Sequence, residues 1–216
     1  MEIISFLERK INPAIFQKII LLLSGKEGKD IDLAMILDLD EAHFSVEKLF
    51  FPEKQKELDF CIYSKNEFEK RVSFLDVLAV DQFLTYNSIF GEDYKRTIKI
   101  REPSSESLEY LKRRYLDIFN VSREYFSKIN GNVYNTLHSL CFSSSYLCAY
   151  LEYLSGRKEP IKFNELVNNP INEPENLLSK VYKAKKRFEN NKEEISAEKI
   201  REYLEKTERL INTSLN

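Results

Sequence analysis

The sequence predicts an α+β chain, with strands and short helices over residues 1–103 followed by an all-helical region over residues 104–216. Two strand-length apolar runs, Ile19 to Leu23 and Ile31 to Leu37, flank a short Gly/Lys connection near the N-terminus. From Ser104 onward, apolar residues instead recur every three or four positions over long stretches, which is the period of a helix with one buried face. The composition is that of an ordinary folded chain, with 43% hydrophobic and 31% charged residues and five glycines in 216. That length suffices for one domain with a substantial core or for two small ones.

Taken in order, Ile3, Ile4, Phe6, Leu7, Ile11, Ile15 and Phe16 have a mostly helical spacing interrupted at Pro13, so one helix or two short ones lead into the first strand. The continuous apolar run 19–23 suits a central strand buried on both faces. Residues 24–29 form a tight connection, and Asp32 to Leu37 form the second strand. Residues 38–56 are expected to be partly helical. Residues 57–63 alternate β-forming and polar side chains and predict a further strand. Ser64 followed by Glu67 is a capping box that starts a helix carrying Phe68 and Val72 inward. A helix over Leu75 to Leu84 and a short strand ending in a turn at Gly91 complete this half.

In the second half, Leu108, Leu111, Tyr115, Ile118, Phe119, Phe126 and Ile129 mark a long amphipathic helix ended by Gly131. A second long helix runs from about Tyr134 to Gly156. A short helical piece at 163–167 and two helices, near 174–188 and 196–211, complete the chain.

The stretch that carries chemistry is Leu21 to Leu37. In a strand, alternate side chains share a face, so Asp30 and Asp32 project together while Ile31 points into the core. Paired carboxylates after a glycine-containing turn can hold a hard divalent cation beside a phosphate. They are also ordinary turn residues and edge protection. Asp59, 27 residues after Asp32, lies in its own strand pattern, and a neighbouring strand would place its carboxylate beside the first two. Three oxygen donors on one face suit two-metal in-line displacement, with ions about 3.5–4 Å apart.

The order of these motifs resembles the nucleotidyltransferase superfamily, the fold shared by polymerase β, kanamycin nucleotidyltransferase and small prokaryotic nucleotidyltransferase domains. The family pattern is a strand ending in Gly-Ser, a loop, a strand opening Asp-hydrophobic-Asp, and a third Asp on a later strand. Here IILLLSG, Asp30-Ile31-Asp32-Leu33 and Leu58-Asp59-Phe60 occur in that order. Ser64 to Phe68 and Ile89-Phe90-Gly91 are similar to the helix start and the hydrophobic-aromatic-Gly end of many small members. The resemblance covers roughly residues 3–93. It implies a small mixed-sheet domain with a helical substrate-binding bundle appended. It also implies Asp30, Asp32 and Asp59 as ligands of Mg²⁺, with Asp59 near the attacking hydroxyl. Ser24 and Gly25 would hold the β- and γ-phosphates of an NTP.

This chain has Ser24-Gly25 where the family has Gly-Ser, and only four residues, Lys26 to Lys29, before Asp30. Lys26 and Lys29 either add charge to the phosphate turn or are solvated turn lysines. The implied activity is Mg²⁺-dependent transfer of an NMP from an NTP to a hydroxyl acceptor, a small molecule or a protein side chain, held between the two halves. The alternative is a catalytically inactive nucleotide-binding or protein-interaction module of antitoxin type, with a protein partner on the helical half.

Other constellations carry less. The Gly25 to Lys29 loop is not a Walker A, because its glycines are too close and no Ser or Thr follows the lysine. Asp38 and Asp40 read as a turn or helix start, and His43 and His138 stand at no ligand or triad spacing. No arginine precedes His138 by four to six residues, which removes the arginine-histidine ribonuclease motif of HEPN-type domains. Lys112, Arg113 and Arg114 read as a solvated helix face pairing with Glu109 and Asp117, the other reading being a triphosphate clamp. The tyrosines of the long helices read as packing at a half-wet interface.

A net charge of −2 argues against a generally basic nucleic-acid-binding protein, leaving room for a local basic patch. Cys61, Cys141 and Cys148 lack C-x-x-C spacing and read as buried thiols of a reducing compartment. No apolar run reaches the roughly 18 residues of a membrane span, and the N-terminus lacks a signal-peptide layout, so the expected location is cytoplasmic.

Overall fold

The computed structural model describes residues 2–25, 28–40, 48–128, 132–168, 176–190 and 194–215. Two compact units, Met1–Arg101 and Glu102–Asn216, divide the chain. The fold is α+β: a five-stranded mixed sheet in the first unit, then helices.

In the first unit, helices α1 (Glu2–Lys10) and α2 (Pro13–Phe16) precede strands β1 (Ile19–Ser24) and β2 (Ile31–Leu37). Asn12 caps α2, its side chain accepting from the Ala14 N–H at 2.9 Å, and Pro13 at the first helical turn loses no hydrogen bond there. Strands β3 (Leu49–Phe51) and β4 (Lys56–Ser64) follow. Then come helices α3 (Lys65–Ser73) and α4 (Val77–Thr85), strand β5 (Asn87–Phe90) and helix α5 (Glu92–Thr97). The sheet order is β3-β4-β2-β1-β5, with β2 and β4 parallel and the other neighbours antiparallel.

Apolar packing on both faces explains why β1 and β2 read as continuous hydrophobic runs. Leu22, Ile31, Leu33, Met35 and Leu37 pack with Phe6, Leu7 and Ile11 of the N-terminal segment. Leu21, Leu23, Ala34 and Ile36 pack on the opposite face with Tyr63, Phe68, Val72 and Ala79. Ser64 caps α3 as its spacing to Glu67 predicts, its hydroxyl accepting from the Glu67 N–H at 3.2 Å. Helix α4 starts two residues later than the apolar pattern suggests, because Leu75 adopts φ 62° and the buried Asp76 carboxylate accepts from the N–H groups of Leu78 and Ala79.

Within 38–56, residues 38–40 bend, Leu49–Phe51 form β3, and a turn through Gln55 at φ 53° leads into β4 at Lys56. The helical expectation for 41–47 lies outside the described residues. Helix α5 has no counterpart among the elements expected from the sequence. It begins at Gly91, which has φ 80°, and a Cβ there would stand 2.0 Å from the Ile20 carbonyl oxygen. Only glycine fits so close to a neighbouring strand.

The second unit contains α6 (Ser105–Lys128), α7 (Val133–Leu154), α8 (Phe163–Asn168), α9 (Leu177–Glu189) and α10 (Ala197–Leu215). The predicted helix ends at Ile129, Gly131 and Pro174 lie outside the described residues. Leu111, Tyr115 and Phe119 of α6 are buried, as are Leu137, Leu140, Cys141 and Leu147 of α7. The buried Ser143 hydroxyl donates to the Tyr115 carbonyl at 2.8 Å, satisfying its polar atom within an apolar seam. Arg113 pairs with Glu109 at 3.0 Å, as the solvated-face reading expects. Among the described residues, no helix is long and apolar enough to cross a membrane.

Candidate functional site

Strands β2 and β4 run parallel and begin at the same edge of the sheet, in a register that pairs Ile31 with Leu58 and Asp32 with Asp59. Ile31 and Leu58 are fully buried in one core, so alternation turns Asp32 and Asp59 to the opposite face. Helices α3 and α4 cover that face further along, over Ala34, Ile36 and Tyr63. The two aspartates lie before this cover begins and are exposed. Asp30, in the bend before β2, is half-buried.

The same register exposes a residue that sequence reasoning missed. One position before the Ile31–Leu58 pair stand Asp30 on one side and Glu57 on the other. The spacing of Glu57-Leu58-Asp59 repeats that of Asp30-Ile31-Asp32, and this repeated acid-hydrophobic-Asp pattern is the signal that could have found it. Asp32 and Asp59 are thus paired in register, with Glu57 two residues before Asp59 on β4 and Asp30 in the bend before β2.

Lys48, just before β3, is the cation beside them. Its Nζ lies 3.6 Å from Glu57 Oε2 and 3.8 Å from Asp59 Oδ2. The negative charges of Asp59, and then of Asp30 and Glu57, hold its ammonium above the ordinary lysine pKa. Both partners are half-exposed, so each pair is a solvent-screened one. Among the described residues, no group of three or more His, Cys, Asp and Glu side chains is arranged to hold a metal ion.

Ser24, Gly25, Gly28 and Lys29 are the described residues of the connection from β1 to β2 expected to meet phosphates. The Gly25 N–H donates to the Asp32 carbonyl oxygen at 2.9 Å, a bond within the sheet. The half-buried Ser24 donates its hydroxyl to the Gly25 carbonyl at 3.3 Å, and the Gly28 N–H donates to the Asp30 carbonyl at 3.1 Å. Lys29 is exposed, and Lys26 lies outside the described residues.

Tyr86, the residue after α4, packs its ring over Gly25. A Cβ on Gly25 would stand 2.9 Å from Tyr86 Cζ. Burial, and next the charge of Asp32, pushes the Tyr86 phenol well above its ordinary pKa, so it stays a neutral hydroxyl. Cys61, two residues after Asp59 on the same face, is likewise pushed up, chiefly by burial, and stays a thiol.

The arrangement thus combines an open, oxygen-rich sheet edge with the Lys48 ammonium and the neutral Tyr86 phenol nearby. Carboxylate oxygens of this kind suit a hard cation such as Mg²⁺. No family model and no curated protein matches the chain. Among solved structures, the chain is similar to a nucleotidyltransferase-like protein from Exiguobacterium sibiricum 255-15, at 16% identity and a TM-score of 0.41, over 97% of this chain and 75% of that one.

Proposed function

We propose that the N-terminal unit is a nucleotidyltransferase that moves an NMP from an NTP to a hydroxyl acceptor with the help of Mg²⁺. The observation that carries this reading is the register of Asp32 with Asp59 on parallel strands, with Asp30 two residues upstream. In that reading Asp32 and Asp59, lateral neighbours on the two strands, would hold the metal, and Asp30 would have to turn toward them, because the three carboxylates are not grouped as a metal site in this structure. When bound, Mg²⁺ would neutralise the phosphate charge that builds during displacement.

The chain's own groups would do the rest. Asp59 stands nearest the acceptor hydroxyl and takes its proton as oxygen bonds to the α-phosphorus and pyrophosphate leaves. Ser24, Gly25 and Lys29 would meet the β- and γ-phosphates, joined by the Lys26 that the sequence offers in the same connection. For Gly25 to contribute its N–H, that group must first release the Asp32 carbonyl.

A second reading has its own support. Lys48 already offsets Asp59 and Glu57, and Gly25 already commits its donor within the sheet. Both features suit a nucleotidyltransferase-like module that has lost turnover and acts by binding.

Calorimetric titration of each of the four NTPs with Mg²⁺ into wild type and Asp32→Asn tests the first reading. Metal-dependent binding that Asp32→Asn loses is the expected result. Absence of binding by every NTP overturns it. Binding that is retained, but with no transfer of α-labelled nucleotide to any hydroxyl acceptor, selects the second.

A further inference from the structure

The helical unit holds a charged feature that the N-terminal site does not use. Between α9 and α10 lies a groove of about 420 Å³ lined by Lys180, Lys183, Arg187 and Lys199, with Glu194 as its one carboxylate among the described residues. That size falls within the range of small-ligand sites, about 300–1,000 Å³.

The helical period explains why these cations share one groove. Lys180, Lys183 and Arg187 are spaced three and four residues apart, so they form one stripe along α9 spanning about 10 Å. The other cations of α9 are engaged elsewhere, since Lys185 and Lys186 both pair with Glu189, at 3.2 and 2.9 Å. Lys180 and Lys183 form no ion pair among the described residues, and the four lining cations are all exposed. Lys199 meets Glu202 at 2.6 Å, but Glu202 also meets Lys206 at 2.9 Å, so one carboxylate is divided between two ammoniums. Arg187 has an interaction of its own as well, so the positive field of the groove rests chiefly on Lys180 and Lys183 and is partly offset at the other two cations. Like charges along one groove repel one another, and a polyanion relieves that repulsion.

The groove also constrains the type of anion. Tyr203 lines it but is only 7% exposed, so it offers no open ring on which a nucleic-acid base could stack. The remaining donors are ammonium and guanidinium groups, which recognise phosphate oxygens. We propose that the groove between α9 and α10 binds a small molecule carrying two or more adjacent phosphates. The site is independent of the nucleotidyltransferase reading, because its residues belong wholly to the second unit.

The test is calorimetric titration of the full chain with inorganic tripolyphosphate, without Mg²⁺, at about 50 mM salt, where surface charge is weakly screened. Wild type should bind one equivalent, and Lys180→Gln/Arg187→Gln should weaken binding by about tenfold or more. Lys158→Gln/Lys162→Gln removes the same charge outside the groove and should leave the affinity unchanged, as should Asp32→Asn. Circular dichroism of each variant shows whether it is folded. No binding by wild type, or equal losses in both double variants, overturns the proposal. Binding of a single-stranded oligonucleotide without binding of tripolyphosphate overturns it in favour of a nucleic-acid surface. A change in affinity on Asp32→Asn, in either direction, places the phosphate in the first unit and also overturns it.

Discussion

Asp32 and Asp59 occupy paired positions on neighbouring parallel strands, so two carboxylates that are 27 residues apart in the chain become lateral neighbours. Like charges directly opposite one another in a sheet are unfavourable. The placement is tolerated at an exposed edge beside Lys48, whose ammonium reaches Asp59 at 3.8 Å. The Lys48 ammonium is therefore part of how this edge is held.

Lys48→Met should make the edge a better site for divalent cations. It removes the ammonium that competes for Asp59 and Glu57, and each screened pair is worth up to about 1 kcal/mol. Affinity for Mn²⁺ or Mg²⁺, measured by calorimetry, should rise by about tenfold. An unchanged or lower affinity would place any metal away from these carboxylates.

Gly25→Ala should destabilise the first unit by about 1–3 kcal/mol, because its methyl group would meet the Tyr86 ring at 2.9–3.2 Å. Shortening Tyr86 to Leu should reduce that cost, and a double-mutant cycle in urea measures the coupling. Additive losses would show that the ring and the glycine are not in conflict.

A larger loss is expected from Gly91→Ala. It combines positive φ with a Cβ placed 2.0 Å from the Ile20 carbonyl oxygen. About 3 kcal/mol or more should be lost, read as a lower urea midpoint. A near-neutral result would mean that β5 and α5 can pull away from β1 without cost.

Acid should weaken the helical unit partly through Glu202. Hydrogen bonds from Lys199 and then Lys206 pull its carboxyl from the ordinary 4.5 down to about 2. A depressed carboxyl pKa stabilises the fold above the unfolded value, and that contribution fades as pH falls through the folded one. The stability gap between wild type and Glu202→Gln should be widest above pH 4.5 and close by about pH 2. A gap that does not change with pH would show that the two lysines do not hold the carboxylate.

Much of this fold is legible in the sequence because its signals are local. Apolar runs of strand length, the Ser64–Glu67 cap and the three-and-four spacing of the long helices act within a few residues, so reading along the chain finds β1, β2, α3, α6 and α7. The same alternation that turns Ile31 inward turns Asp30 and Asp32 the other way, which makes them candidates on sequence grounds alone. Helix α5 is not legible, because Gly91 reveals its role only against the Ile20 backbone of another strand.

The sequence by itself determined the element types, the buried stripe of each long helix and the residue chemistry available at the start of β2. Tertiary structure alone decided which strand lies beside β2 and in what register. That choice brought Glu57 and Lys48 to the aspartates, committed the Gly25 N–H to the Asp32 carbonyl and laid Tyr86 over Gly25. It likewise joined the cations of α9 to Lys199 of α10 in one groove. The physical reason is range: backbone periodicity and caps are set by neighbours in sequence, whereas charges and hydrogen-bond donors find partners wherever the packed core brings distant segments together.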